Sequence, residues 1–190
     1  MTASIDAPVR GPRTARVAAI AVGVVIALLV VVLATRKSSQ SSLPDNPLIG
    51  KPAPVIDAPN VGSGGRVTLT GLRGKFVLVN FFNEWCVPCI QEHPELLKFN
   101  ERHKVAGDAQ LIAVNHGGDI SAERDFLAKQ GGDWPLVDDP RGALALDYGV
   151  RGQPETFVID PNGIVVTRIV GPSTADGLDR LLAQVKAAEA

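Results

Sequence analysis

Both cysteines of this chain, Cys86 and Cys89, stand inside the stretch NEWCVPCIQEHPE, which runs from Asn83 to Glu95. The residues before them, KFVLVNFF from Lys75 to Phe82, form an apolar run rich in β-branched and aromatic side chains. That run is too short for a globular helix and reads as a buried strand. After the pair, Val87 to His103 carries Ile90, Leu97 and the Leu96, Phe99 pair at helical spacing. Pro88 falls where a helix start tolerates a missing N–H. The pair is therefore held between the end of a buried strand and the first turn of a helix, which commits the chain to alternating strands and helices.

The remaining pattern agrees. AQLIAVNH and ETFVID repeat the apolar strand signature, and helices are expected from Ser121 to Lys129 and from Ser173 to Ala188. Asn162 and Gly163 form a turn that joins TFVID to IVVTRIV as a hairpin, so the sheet must be mixed, with an antiparallel end. With 190 residues, 45% of them hydrophobic, the chain supports one packed domain, an α/β sandwich around a central mixed β-sheet flanked by helices. A formal net charge of −1 and an aromatic content of 5% give no basic, aromatic face, so nucleic acid is not an expected partner.

The N-terminus supplies an address. Val17 to Ala34 contains no charged or strongly polar side chain, and at about 1.5 Å per residue it nearly crosses a hydrocarbon core of about 30 Å. Arg10, Arg13 and Arg16 precede it and Arg36 and Lys37 follow, which favours a cytoplasmic N-terminus and an exported remainder. A cleaved signal peptide is the competing reading, with an apolar core of about 7 to 15 residues and a small-x-small site where VLATRK stands. The expected organisation is a cytoplasmic segment over 1–16, a transmembrane signal anchor over 17–34, a Ser- and Pro-rich linker over 35–45, and a domain over 46–190 on the extracytoplasmic side of the cell membrane.

At a helix start, unsatisfied N–H groups and the helix dipole favour a thiolate at Cys86, the attacking species in disulfide exchange. Cys89 lies within reach to attack the mixed disulfide that Cys86 would form. Other readings of the pair are weaker. A structural disulfide closing so short a loop constrains little of the unfolded chain. Zinc takes about four ligands, and Cys86, Cys89 and His93 leave His103 or His116 to complete the set. Covalent haem attachment wants a His directly after the second Cys, and Ile90 stands there.

WCVPC resembles the thioredoxin active site. GVRGQPETFVID, from Gly149 to Asp160, resembles the second signature of the membrane-anchored, extracytoplasmic branch of that family, the TlpA, ResA and CcmG/DsbE oxidoreductases, and is most similar to the CcmG/DsbE type. The resemblance runs from IGKPAP at Ile49 through the C-terminal helix. It implies a thioredoxin-like fold with Cys86 as nucleophile, Cys89 as resolving thiol, and a cis bond from Gln153 to Pro154 that sets substrate-pairing backbone beside the cysteines. Pro94 stands where thioredoxins kink the helix.

Thioredoxins carry a buried Asp six positions before the first cysteine, but here that position is Asn80. Glu92, on the same helical face as Cys89, is the expected proton acceptor; a solvated first-turn acid is its bland alternative. Glu155 is similar to the acid of the family's PETF motif and is expected near the same pocket. Glu84 departs from the small residue usual before the Trp. Pointing inward it would oppose a thiolate at Cys86, and the reading is that it faces water. Trp85 is expected to flank the pair as an apolar rim for docking. His93 and His116 are assigned no role.

The resemblance implies a monomeric reductase without bound cofactor or metal. It would act on protein thiol substrates, above all the CxxCH cysteines of apocytochrome c, with electrons from a membrane thiol donor of the DsbD or CcdA type. A disulfide-forming oxidase on the same fold is the alternative, and a Cu(I)-binding chaperone using the two cysteines with His93 or His116 is a further one. Asn83 stands where related peroxidases carry Thr, which disfavours a peroxidase.

Overall fold

The computed structural model describes residues 13–35 and 46–189. The chain divides between Pro44 and Asp45. In the first unit a helix, α1 (Arg13–Thr35), covers the apolar run. Among the described residues no helix is long and apolar enough to cross a membrane. The expected cytoplasmic segment and linker fall mostly on 1–12 and 36–45, outside the described residues.

The second unit opens with a small antiparallel ribbon, β1 (Asp57–Pro59) and β2 (Arg66–Thr68). There follow β3 (Phe76–Phe82), α2 (Val87–Ala106), β4 (Ala109–Asn115), α3 (Ile120–Gln130), β5 (Leu136–Asp138), α4 (Ala143–Tyr148), β6 (Glu155–Ile159), β7 (Val165–Val170) and α5 (Ala175–Glu189). The main sheet has the order β5-β4-β3-β6-β7. β3 runs parallel to β4 and antiparallel to β6, and the β6–β7 hairpin forms the antiparallel end that the Asn162–Gly163 turn implied. The mixed sheet with flanking helices is thus as expected. Sequence patterning did not reveal the β1–β2 ribbon, β5 or α4.

Every residue of β3 is buried, as befits a central strand covered on both faces. Its period of two sorts its side chains. Phe76, Leu78 and Phe82 pack with Leu96 and Phe99 of α2, Leu127 of α3 and Leu178 and Leu182 of α5. Val77, Val79 and Phe81 pack on the other face with Ile56, Val67, Tyr148 and Phe157. Burying each of these large apolar side chains contributes about 1.5–3 kcal/mol. Asn80 shares the parity of Leu78 and Phe82, so it too points toward α2 and α5. The buried face of α2 consists of Cys89, Glu92, His93, Leu96 and Phe99. Strand and helix periodicities therefore bring Asn80 and Glu92 together.

Candidate active site

β3 ends at Phe82, and the chain turns through Asn83, Glu84 and Trp85 into α2, whose N-cap is Cys86. The Sγ of Cys86 accepts the backbone N–H of Cys89 at 3.3 Å, so one orphan donor of the helix start points at the first sulfur. The two cysteines are joined as a disulfide, with their Cα atoms 5.2 Å apart. Cys86 lines a cavity of about 670 Å³ whose wall includes Trp85, Val87, Pro88, His116 and Gln153; Cys89 lies behind it, more deeply buried. Trp85 is 64% exposed and stands at the edge of this cavity.

The opposite wall is the segment before Pro154, and the Gln153–Pro154 bond is cis. Pro154 itself is buried, and its carbonyl accepts the Gly171 N–H at 2.9 Å. Backbone on offer to a partner therefore comes from the residues preceding it. Asn83 secures this wall: its Nδ2 donates to the His116 carbonyl at 3.2 Å and to Gln153 Oε1, while Gln153 Nε2 donates to the same carbonyl at 2.7 Å.

Glu92 is 1% exposed, which removes the solvated alternative. Asn80 Nδ2 donates to its Oε2 at 3.1 Å and to Thr156 Oγ1 at 2.8 Å. The Ser173 N–H donates to Glu92 Oε1 at 2.8 Å, joined by the Ser173 hydroxyl. Burial lifts the Glu92 carboxyl above the ordinary carboxylate range, and the Ser173 and Asn80 hydrogen bonds only partly offset it. Its alternation between acid and base is thereby moved toward the pH of thiol chemistry.

The structure places Glu155 apart from the cavity. Its Oε1 accepts the Arg151 N–H at 3.1 Å and its Oε2 meets Arg168 Nη1 at 3.5 Å. Both side chains of the pair are buried, so this carboxylate anchors the loop that forms the wall. Glu84 corrects the expectation of a water-facing acid. Its Oε2 is buried without a partner, and its carboxylate faces Glu123 of α3. Glu123 is pushed up to about 8, by burial first and by Glu84 second.

Neither His93 nor His103 turns toward the cysteines. His93 Nε2 pairs with the Gly131 carbonyl at 2.9 Å, its ring edges meet Phe126 and Trp134, and burial lowers its pKa. His103 bridges Asp108 and Asp179. His116 lines the cavity, with Nδ1 3.8 Å from Asp139. Among the described residues no three His, Cys, Asp or Glu side chains form a metal site. The sequence reading gave the side chains of Asn83, Gln153 and Ser173 no part in the site. Gln153 alone had a local signal, its place directly before Pro154.

Comparison with known proteins agrees with this geometry. The model of the AhpC/TSA family matches residues 49–168. The thiol:disulfide interchange protein HelX of Rhodobacter capsulatus is 39% identical over 131 residues, 68% of this chain and 72% of that protein. The thiol:disulfide interchange protein DsbE of Pseudomonas aeruginosa is 40% identical over 133 residues, 69% of this chain and 71% of its own length. The crystal structure of a thiol:disulfide interchange protein DsbE from Chlorobium tepidum superposes with a TM-score of 0.64 at 34% identity, covering 74% of this chain and 96% of that one. The fold is thioredoxin-like.

Proposed function

Because the chain belongs to the AhpC/TSA family, we propose that it is an extracytoplasmic thiol-disulfide reductase that keeps the paired cysteines of apocytochrome c reduced before haem ligation. The observation that carries the reading is the asymmetric pair: Cys86 opens on the cavity at a helix start, and Cys89 lies behind it on the helix face of a buried Glu92.

In the reduced protein, the Cys86 thiolate attacks one sulfur of a substrate disulfide. A mixed disulfide forms, and the other substrate sulfur leaves as a thiolate. Glu92 takes the proton of Cys89, whose sulfur then attacks Cys86 and expels the second substrate thiolate. Two electrons pass to the substrate, and the Cys86–Cys89 disulfide remains. A membrane thiol donor of the DsbD or CcdA type would return two electrons to it. Trp85 and the residues before Pro154 hold the substrate chain across the cavity, and Glu155 positions the latter through Arg151.

The uninterrupted apolar run from Val17 to Ala34 supports a membrane anchor that holds the domain on the extracytoplasmic face. Alkaline extraction of membranes and a reporter fused after residue 46 test that placement. The deciding measurement for the reaction is the reduction potential of the Cys86–Cys89 couple in the full chain, equilibrated against glutathione or dithiothreitol. A value near or below about −220 mV supports the reductase, and one close to about −120 mV replaces it with a disulfide-forming oxidase.

A further inference from the structure

The turn into Cys86 holds a second cluster, which the exchange reaction does not use. Glu84 and Glu123 face one another across the start of α3. Glu123 is 0% exposed, and its carboxylate meets no donor beyond Glu84 itself; Glu84 Oε2 likewise meets no donor from any other residue. Glu84 Oε1 has only the Asp119 N–H, at a long 3.5 Å. Asn83 and Asn115, each 1% exposed, add unpartnered carboxamide oxygens.

The orientation of those carboxamides is set by their nitrogens. Asn83 Nδ2 is engaged by the His116 carbonyl and Gln153, and Asn115 Nδ2 by the Gly118 carbonyl at 3.2 Å and Asp138 Oδ1 at 3.0 Å. Oxygen is therefore what each turns to its unpartnered side. Glu84 Oε2 and Asn115 Oδ1 converge beside Gly118, with the Asn83 side chain against the same point. A Cβ there would lie 2.4 Å from Glu84 Oε2, 2.6 Å from Asn115 Oδ1 and 2.8 Å from the Asn83 Cβ, so the backbone can close over them only because residue 118 is glycine. The cluster is rich in enclosed acceptors and lacks donors to match them, an arrangement that natural interiors avoid unless something positive completes it.

We propose that Glu84, Glu123, Asn83 and Asn115 bind a hard divalent cation of the Ca²⁺ class. The donor set is all oxygen, two carboxylates and two carboxamides, which suits Ca²⁺ in its irregular coordination and offers nothing to a soft or nitrogen-seeking metal. Magnesium demands near-octahedral geometry and retains most of its waters, which fits an enclosed, mixed set less well. With only two carboxylates, the affinity belongs at the weak end for calcium sites, about 0.1–1 mM. A bound cation would tie α3 to the residue two positions before Cys86 and neutralise the charge that otherwise opposes a thiolate there.

Isothermal titration of CaCl₂ into the full chain, stripped with EDTA and held in detergent at neutral pH, tests this. One saturable site per chain is expected, together with a rise in Tm on adding Ca²⁺. Glu84→Gln and Glu123→Gln should each weaken binding about tenfold or more. Both variants relieve carboxylate repulsion, so their Tm in EDTA should equal or exceed that of the parent, which separates lost binding from lost folding. Cys86→Ser should bind as the parent does, because the site needs no sulfur. Absence of saturable binding up to about 10 mM, or binding retained in both Gln variants, overturns the proposal. The first of these outcomes would leave the two carboxylates sharing a proton instead.

Discussion

Asn80 Nδ2 stands 3.1 Å from Glu92 Oε2, so a neutral amide from the central strand donates to a carboxylate from the helix that begins at Cys86. An acid on the strand at this point would set two negative charges side by side, and one of them would stay protonated. With Asn80 on the strand, Glu92 is the ionisable member of the pair, and it lies on the buried helix face that also carries Cys89. Glu92→Gln should therefore slow resolution of the mixed disulfide by about 10²-fold and flatten its pH profile, while initial attack by Cys86 changes little. Stopped-flow reduction of a fluorescent disulfide peptide separates the two steps.

The same carboxyl sets a stability trend. Burial raises its pKa in the folded chain above the ordinary 4.5, so over the interval between those two values the folded state holds the proton more tightly than the unfolded one. As pH rises through that interval the unfolded chain deprotonates first, and stability is lost. The Tm difference between Glu92→Gln and the parent should shift in favour of the variant as pH rises from 4.5 upward, and thermal melts at stepped pH read it directly.

Trapping distinguishes the cysteines. Cys89→Ser should accumulate a mixed disulfide with substrate through Cys86, visible on a non-reducing gel, whereas Cys86→Ser should fall to the uncatalysed rate. Equal trapping by both variants would contradict the placement of Cys86 on the cavity and Cys89 behind it.

Asn83 holds two parts of the opposite wall through one nitrogen. Asn83→Ala leaves the His116 carbonyl and Gln153 without that donor. It should cost about 1–3 kcal/mol of stability and raise KM for a protein substrate more than it lowers kcat. Chemical denaturation and steady-state kinetics supply the two readouts.

Trp85 is mostly exposed, so Trp85→Ala should leave stability within about 0.5 kcal/mol while weakening capture of protein substrates. Reduction of a small disulfide reagent should be nearly unaffected. The ratio of the two activities is the measurement.

The elements that frame the site were legible because their apolar residues form clear patterns. β3 and β4 are short, nearly unbroken apolar runs, α2 repeats its apolar residues at helical spacing, and the β6–β7 turn is marked by Asn162 and Gly163. β1, β2 and β5 have 3 residues each, too few for any alternation to register. The fate of the acids was harder to read. Glu84, Glu92 and Glu155 look alike in sequence, yet their settings are decided by Glu123, Ser173 and Arg168, residues that adjoin them only in the fold. Polar burial depends on such distant partners, and nothing in the local pattern announces them.

Ser173, which donates its N–H and hydroxyl to Glu92, lies 81 positions further along the chain. Synthesis thus delivers both cysteines long before the group that holds the carboxyl beside them. Until the last strand and the start of the final helix have emerged, Glu92 has neither its enclosure nor its Ser173 partners. A nascent or truncated chain would carry an exposed dithiol with an ordinary surface acid, reactive toward oxidants but without the tuned proton acceptor. Maturation of the redox centre is therefore tied to completion of the polypeptide.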